Sequence, residues 1–423
     1  MDHATIFALS SGLPPAGIAV IRVSGPAASD ALRLIAGRVP RPRLARLARF
    51  RHPVTGMAID QGLALWFLGP ASVTGEDLAE FHVHGGRAVV AAMLAAVGAI
   101  AGCRQARAGE FTQRGFENGR IDLAQAEGLA ELLAAETEGQ RQSALAMVEG
   151  QLGARIAGWQ AELLRISAQI EAELDFSDEG DVADQAAGAA RLTPLIVSIA
   201  ALLDAPGAER LRDGVRVVLA GPPNAGKSSL FNQLAGRDAA IVTPMAGTTR
   251  DLIEAPIQLG GVPILLIDTA GLRDASDAIE AMGVERAQSA MARADIILWL
   301  GDKADMPSDD RALLIASKAD VDRARPGLAV SSITSEGIAA LTDALVERAR
   351  AFLPREGALA LNARHRSLMA AVRDDLRSAQ ASDDMLIAAE HLRTARALLD
   401  QVTGRAGVED MLDALFGGLC IGK

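Results

Sequence analysis

Aromatic residues and cysteine are scarce in this chain of 423 residues, and tyrosine is absent. Aromatic side chains make up 3% of the sequence, so we expect Ala and Leu to build most of the core, which favours closely packed helices. Cys103 and Cys420 cannot form a disulfide framework, and the composition indicates a cytosolic protein. No basic segment precedes the first apolar residues, so we expect no signal peptide. The stretch from Ala88 to Cys103 is too short to span a membrane and predicts a core helix.

The length suits two or three domains, and half of the residues are hydrophobic, so most of the chain should be folded. The net charge of −11 argues against general coating of nucleic acid. It leaves room for a local basic patch.

The N-terminal part of the chain has the pattern of an α+β domain. Residues 1 to about 117 combine short β-like runs, such as Ile18 to Val23 and Leu63 to Phe67, with Gly/Pro turns and Ala-rich helical stretches. From about 122 to 203 the apolar residues recur with helical spacing, interrupted by an acidic loop near 175–184.

Strands alternate with helices between Val215 and Phe352, which predicts a mainly parallel sheet. After Pro354 the pattern is helical again, over 364–381, 385–403 and 408–416. The simplest arrangement is an α/β domain inserted into a helical domain. We therefore expect a multidomain α+β, α and α/β protein, with an N-terminal domain at 1–118, a helical domain at 119–210 and 356–423, and the inserted domain at 211–355.

The segment Gly221 to Ser229 reads GPPNAGKSS and lies between an apolar run and a helical pattern. A strand, a glycine-rich loop and a helix in this order, with G-x-x-x-x-G-K-[ST], predict a P-loop. Its backbone N–H groups and the helix N-terminus favour phosphate oxygens. Lys227 would reach the β- and γ-phosphates, and the Ser228 hydroxyl would bind Mg²⁺.

Motifs after the P-loop favour GTP over ATP. Gly247 to Asp251 lies where switch I of a GTPase offers a Thr to Mg²⁺. Asp268 to Gly271 follows an apolar strand, as a Walker-B Asp and a γ-phosphate-sensing Gly do.

Ser317-Lys318-Ala319-Asp320 follows another apolar run, where an [N/T]-K-x-D motif reads guanine through its carboxylate. Ser317 replaces the usual Asn, so one hydrogen bond to the base edge is lost. Ser331 to Ile333 would complete the base pocket. A similar sequence, Asp302 to Asp305, lies too soon after Asp268 to serve.

The residue after the Asp268 motif is Leu272, which cannot orient water as the Gln of Ras-type switches does. Asn224 and the carbonyls of 241–246 could instead hold a monovalent cation against the phosphates. The alternative for Asn224 is a hydrogen bond that only stabilises the loop. For the water, the candidate is Glu280, and the alternative is a solvated helix acid.

Segments in all three regions carry a resemblance to the bacterial tRNA modification GTPase MnmE (TrmE) family over essentially the whole chain. They are Gly17 to Gly25, Thr74 to Glu80, His84 to Gly86, Gly109 to Arg114, Asn118 to Glu127, the GTPase motifs and the C-terminal Cys420-Ile421-Gly422-Lys423.

The resemblance implies an N-terminal domain that binds 5-formyl-tetrahydrofolate and dimerises, a helical domain, and an inserted GTPase domain. It also implies a flavin-containing partner, MnmG (GidA), in a heterotetramer. The pair would install an aminomethyl or carboxymethylaminomethyl group at C5 of the tRNA wobble uridine. GTP hydrolysis would be activated by K⁺ and by pairing of two GTPase domains.

Residue roles follow from the matching motifs. The resemblance implies that Arg22, Glu80, Arg120 and Lys423 line the folate site. Arg120 stands where the family often has Lys, so the charge is kept while the geometry changes. The implied ligands are Ser228 and Thr249 for Mg²⁺, and Asn224, Thr243, Met245 and Thr248 for K⁺.

The complete predicted nucleotide site follows from the same motifs, with Glu280, Asn224 and Lys227 as its catalytic residues. Its members are Asn224, Ala225, Gly226, Lys227, Ser228, Ser229, Thr243, Pro244, Met245, Ala246, Gly247, Thr248, Thr249, Asp268, Thr269, Ala270, Gly271, Ser317, Lys318, Asp320, Ser331, Ser332 and Ile333.

Three further features admit two interpretations each. Cys420 is either a nucleophile or, as we favour, a small apolar side chain near a ligand. His82 and His84 suggest a metal, but two His without a third ligand are more often structural. The basic run from Arg38 to Arg51 either contacts tRNA phosphates or is a solvated surface.

Two rival functions fit parts of the pattern. A regulatory GTPase of the ribosome-assembly kind explains the nucleotide motifs but not residues 1 to 120 or Lys423. A folate-dependent one-carbon transferase with a regulatory GTPase domain would act on tRNA without a partner.

Overall fold

The computed structural model describes residues 4–175, 185–238, 253–269, 288–355, 357–405, 415–419 and 421–422, without the side chains of 172–175, 185–190 and 237–238. The chain divides into two compact units, 1–130 with 400–423, and 131–399.

The first unit contains a six-stranded sheet of order β3-β4-β5-β2-β1-β6. Its strands are β1 (Thr5–Leu9), β2 (Ala16–Ser24), β3 (Arg46–Arg51), β4 (Ala58–Phe67), β5 (Leu78–Gly85) and β6 (Cys103–Gln105). Only the β1–β6 pair is parallel among these strands. The predicted strands at 18–23 and 63–67 are confirmed as parts of β2 and β4.

One face of this sheet forms a core with α1 (Ala28–Ala36) and α2 (Arg87–Gly98), because alternate strand residues point to the same face. Ile21 and Phe81 are fully buried in this core. The predicted helix at 88–103 is partly wrong, since α2 ends at Gly98 and β6 begins at Cys103. Between them Gly102 has a φ of +79°, a left-handed conformation that a continuing helix does not allow.

Helix α3 (Glu110–Glu117) and the first part of α4 (Leu123–Ala134) complete this unit. Ala126, Phe416 and Leu419 form a small core with Phe116. The C-terminal segment lies close here, since a Cβ on Gly109 would come within 2.3 Å of the Phe416 carbonyl oxygen.

The second unit begins with helices, as the apolar spacing predicts. They are α5 (Glu138–Val148), α6 (Gln151–Asp175), α7 (Gln185–Asp204) and α8 (Glu209–Asp213). Helices α11 (Ala363–Ala381) and α12 (Met385–Thr403) confirm the predictions for 364–381 and 385–403. Most of the predicted helix at 408–416 lies outside the described residues.

One segment of the described chain, 191–213, is long and apolar enough to cross a membrane, and 39% of its most apolar window is buried. It is not one continuous helix, because α7 ends at Asp204 and α8 begins at Glu209. Arg366 stabilises the turn between them by donating to the carbonyls of Leu203 at 2.7 Å and Ala205 at 2.9 Å. Because α7 also packs along α11, we interpret it as a core helix.

The predicted α/β region is a six-stranded sheet of order β12-β11-β10-β7-β9-β8. Its strands are β7 (Val215–Ala220), β8 (Ile253–Leu259), β9 (Val262–Asp268), β10 (Ile296–Trp299), β11 (Ala312–Ser317) and β12 (Leu328–Val330), with helices α9 (Lys227–Asp238) and α10 (Ile338–Arg350). Only β8 is antiparallel to its neighbour, so the mainly parallel sheet is confirmed. The fold class is confirmed as multidomain α+β, α and α/β. The predicted limits at 118, 210 and 355 stay predictions.

Candidate functional site

The P-loop follows β7, a strand inside the sheet whose carboxyl end is where α/β proteins bind ligands. Two glycines in left-handed conformations shape the loop, Gly221 with a φ of +138° and Gly226 with +97°. A Cβ on Gly221 would lie 3.1 Å from the backbone carbonyl carbon of Leu300, so the turn has little room for a side chain.

Lys227 closes this loop from its inner side. Its Nζ donates to the carbonyls of Gly221 and Pro222, both at 2.8 Å, and the residue is 8% exposed. Ser228 and Ser229 are exposed in the first turn of α9, where the helix N-terminus favours anions. A buried ammonium and exposed hydroxyls at a helix start make a site for phosphate.

The predicted guanine motif contacts the P-loop directly. The Ser317 hydroxyl donates to the Ala225 carbonyl at 2.6 Å, and Lys318 Nζ donates to the Asn224 carbonyl at 2.8 Å. Ser317 ends β11 and is 5% exposed, so its hydroxyl is held between two elements of the site. The sequence predicted only a lost contact with the base here. The structure adds a link to the phosphate loop.

The rejected motif from Asp302 to Asp305 forms an exposed turn after β10. The Asp302 carbonyl accepts from Trp299 Nε1 at 3.0 Å, and its carboxylate pairs with Arg325 at 3.4 Å. Among the described contacts, therefore, the motif that reaches the P-loop is the one containing Ser317.

The rest of the proposed base pocket follows β12. The buried Ser331 hydroxyl accepts the N–H groups of Ile333 at 3.3 Å and Thr334 at 3.2 Å, which fixes the turn. Ile333 is 85% exposed, and Asp320 is also exposed. The Ala319 N–H donates to the Val330 carbonyl at 3.1 Å, so the two loops are joined.

Asp268 lies at the carboxyl end of β9, opposite Leu219 of β7, and is fully buried. The Thr269 hydroxyl donates to the Leu219 carbonyl at 2.8 Å. A buried carboxylate beside the start of the P-loop suits an electrostatic partner of a phosphate-bound Mg²⁺.

Several predicted site residues lie outside the described residues, and their roles stay predictions. They are Thr243, Pro244, Met245, Ala246, Gly247, Thr248, Thr249, Ala270, Gly271, Glu280 and Lys423. Leu272 and Cys420 are also outside this part.

The predicted folate residues Arg22 and Glu80 meet across paired strands of the first sheet. Arg22 donates to Glu80 Oε1 from Nε at 3.1 Å and from Nη2 at 2.9 Å, and the guanidinium lies 5.8 Å from the Phe111 ring centroid. His82 Nε2 is 3.1 Å from Glu80 Oε2. Burial alone would raise the pKa of the Glu80 carboxyl, but hydrogen bonds from His82 and Arg22 bring it below its ordinary value. Glu80 is therefore held as a carboxylate.

Arg120 is held by a different segment, with its Nε donating to the Ser72 carbonyl at 3.2 Å. A polar network that the sequence did not predict is centred on Glu76, which lies in the same segment as Ser72. Glu76 Oε2 accepts from Ser24 Oγ and Arg114 Nη1, both at 2.8 Å, and Ser24 also bonds Thr74. The only signal in the sequence is that these residues lie in segments that carried the resemblance.

The histidine pair has carboxylate partners rather than a metal-like arrangement. His84 Nδ1 lies 2.9 Å from Asp60 Oδ1, while His82 contacts Glu80. Over the described ranges no group of three His, Cys, Asp or Glu could hold a metal ion.

Family comparisons cover nearly the whole chain. A model described as "GTP-binding protein TrmE N-terminus" matches residues 5–120, and one described as "MnmE helical domain" matches 123–420. A protein named tRNA modification GTPase MnmE from Rhizorhabdus wittichii is 54% identical, over 99% of this chain and 96% of that protein. One of the same name from Erythrobacter litoralis is 52% identical, over 99% and 100%. The solved G domain of the T. maritima FeoB iron transporter is 27% identical, covers 32% of this chain and 98% of that chain, and has a TM-score of 0.25.

Proposed function

The chain belongs to the MnmE family of tRNA modification GTPases, and from this we propose that it hydrolyses GTP to drive modification of the tRNA wobble uridine. The observation that carries the GTPase part is the contact of Ser317 and Lys318 with the P-loop, which joins a guanine motif to a phosphate site. Membership also accounts for residues 5–120, which a ribosome-assembly GTPase would leave unexplained.

Within this proposal the described residues bind and orient the nucleotide. Lys227 would leave the carbonyls of Gly221 and Pro222 to neutralise the β- and γ-phosphates. Ser228 would bind Mg²⁺, with Asp268 as its buried partner. Asp320 would accept both N1–H and N2–H of guanine, a donor pair that adenine lacks.

Hydrolysis itself relies on residues predicted from the motifs. Glu280 would orient the attacking water, Thr249 would bind Mg²⁺, and Asn224 with the backbone of 243–248 would hold K⁺. That cation would neutralise charge developing on the phosphates, as an arginine finger does. The exposure of Asn224 at the loop surface supports this role, whereas its left-handed backbone, with a φ of +59°, is common for Asn in turns.

The carbon chemistry belongs to a partner in this proposal. A flavoprotein, MnmG, would join a homodimer of this chain, and GTP hydrolysis would switch the conformation of the assembly. When bound, 5-formyl-tetrahydrofolate would supply a one-carbon unit. The Glu80 carboxylate suits the donor groups of a pterin ring, and Arg22 beside it suits an acceptor group.

The test of the GTPase proposal is steady-state hydrolysis of GTP and of ATP by the full chain, in KCl and in NaCl at equal ionic strength. We expect GTP turnover that K⁺ stimulates, no ATP turnover, and loss of activity in Lys227→Ala. Equal GTP rates in the two salts would contradict the K⁺ site. Equal turnover of ATP would contradict guanine reading by Asp320.

A further inference from the structure

One stretch of the chain carries more basic charge without any acidic residue than every other such stretch. Between Asp30 and Asp60 it carries seven arginines and no Asp or Glu. Residues 31–59 therefore contribute +7, and since the chain totals −11, the rest carries −18. Five of these residues are exposed and form what we call the arginine patch: Arg38, Arg41, Arg43, Arg49 and Arg51.

The arginine patch lies along one edge of the first sheet. Strand β3 is the edge strand and pairs only with β4 among the described strands. Arg49 and Arg51 alternate with the buried Ala48 and Phe50, so their side chains point away from the core. Arg38, Arg41 and Arg43 precede β3 in its connection from α1. Arg46 does not belong to the patch, because it shares the strand face of Ala48 and Phe50.

The charges of the patch are not neutralised by carboxylates within the described ranges. Arg43 Nη2 donates to the Ala71 carbonyl at 2.5 Å, and Arg51 Nη1 donates to the Gly56 carbonyl at 3.1 Å. Some exposed arginines elsewhere are paired, since Arg141, for example, lies 2.6 Å from a Glu138 oxygen. Basic residues on an edge strand also prevent unwanted pairing. That role does not account for Arg38 and Arg41, which lie outside the strand.

We propose that the arginine patch binds phosphates of the tRNA, an inference that rests on the proposed function in which tRNA is the substrate. Six residues of β3 extend over about 20 Å, enough for contacts with several successive phosphates. A guanidinium can donate two parallel hydrogen bonds to one phosphate. Repulsion from the acidic remainder falls off over about 8 Å at physiological salt, so distant acids do not cancel a local patch.

The experiment measures binding of fluorescein-labelled, unmodified tRNA to the full chain by anisotropy over a range of salt concentrations. The test variant carries Arg38→Gln, Arg41→Gln and Arg49→Gln, which have no described side-chain hydrogen bond to lose. The matched control carries Arg87→Gln, Arg155→Gln and Arg377→Gln, three exposed arginines elsewhere, so both variants lose three positive charges.

We expect the test variant to bind tRNA between about tenfold and a few hundredfold more weakly at 0.1 M salt. In a plot of log K against the logarithm of the salt concentration, the slope of the test variant should be smaller in magnitude by about two to three. Each phosphate contact that is lost reduces the magnitude of this slope by slightly less than one. The control should match the unmodified chain. Equal affinity and slope in the test and control variants would overturn the proposal.

Two added measurements separate this proposal from others. GTP hydrolysis without tRNA should be unchanged in the test variant. If the unmodified chain itself lacked GTPase activity, this result would refute the proposed function but not the binding of tRNA by the arginine patch. Leu44 and Leu47 are also exposed beside the arginines, at 57% and 61%, so vesicles containing phosphatidylglycerol serve as a second probe. Loss of vesicle binding with unchanged tRNA binding would make the patch a lipid site and overturn the RNA assignment.

Discussion

Replacing Ser317 by Ala tests the link between the guanine motif and the P-loop. The hydroxyl that donates to the Ala225 carbonyl at 2.6 Å would be lost from a residue that is 5% exposed. A net hydrogen bond is worth about 1 kcal/mol, and leaving the half-buried Ala225 carbonyl without a donor costs at most about 3 kcal/mol. If this free energy stabilises the conformation that binds the nucleotide, its loss in Ser317→Ala decreases GTP affinity by about 5-fold and at most about 150-fold.

The same contact predicts how the base is read. A serine hydroxyl has one hydrogen to donate, and here the Ala225 carbonyl accepts it, so Ser317 has none for purine N7. The unmodified chain should therefore bind GTP and 7-deaza-GTP with equal affinity, within about twofold. In Ser317→Asn the side-chain amide has two hydrogens, so this variant should prefer GTP over 7-deaza-GTP by about fivefold, the value of one net hydrogen bond.

Both effects can be measured on the full chain by competition against a fluorescent GDP analogue. Ser367→Ala, an exposed serine of α11, is the matched control and should bind as the unmodified chain does. The role of the Ser317 hydroxyl would be refuted if the unmodified chain bound 7-deaza-GTP at least fivefold more weakly than GTP. It would also be refuted if Ser317→Ala left GTP affinity unchanged.

Three further predictions test other residues. Asp320→Asn should weaken GTP binding and favour xanthosine triphosphate, because the amide can donate to the xanthine carbonyl; competition binding with both nucleotides checks this, and an unchanged preference for GTP would contradict it. Glu110→Gln should lower the free energy of unfolding by roughly 3 kcal/mol at neutral pH, because Glu110 is 4% exposed and accepts from two Arg104 nitrogens at 2.5 and 2.9 Å. Burial alone would raise the pKa of Glu110, but hydrogen bonds from Arg104 and the Arg107 N–H lower it below the ordinary value of 4.5. The Glu110 carboxylate therefore contributes its full stabilisation above about pH 4.5 and loses it as the pH falls through the lowered pKa of the folded state. Urea unfolding of both proteins at pH 7 and below pH 4 should show the difference shrinking, and a constant difference would refute the assignment. Gly337→Ala should destabilise the chain in thermal unfolding, since Gly337 has a φ of +74° and its Cβ would lie 1.9 Å from the Ala329 carbonyl oxygen; an unchanged unfolding temperature would refute this.

Local patterns were sufficient to predict most elements but not their contacts. Apolar spacing predicted the strands before and after the P-loop and the helix from Met385 to Thr403. A buried helix face or a buried strand requires apolar residues at regular positions, so these elements can be recognised from the sequence. The end of α2 was missed, since an Ala- and Gly-rich stretch continues beyond Gly98 with no polar break. The helical pattern on both sides of the α/β region indicated the inserted arrangement, and the resemblance implied the same.

Contacts between distant segments could not be predicted from the sequence. Ser317 and Ala225 are 92 residues apart, and the missing Asn did not show that the serine hydroxyl would bond the P-loop. Arg22 and Glu80, which are 58 residues apart, were assigned to one site only through the resemblance, which did not predict their hydrogen bond. The network of Glu76 and Arg114 depends on the way α3 packs, which no local pattern encodes.

We propose above that GTP hydrolysis by this chain drives wobble uridine modification. The most direct test is mass spectrometry of tRNA nucleosides from cells that lack the chain and receive either the unmodified gene or Lys227→Ala. We expect carboxymethylaminomethyl- or aminomethyl-uridine only with the unmodified gene. Equal amounts of modified uridine with Lys227→Ala, shown to be inactive on GTP and equally abundant, would contradict it.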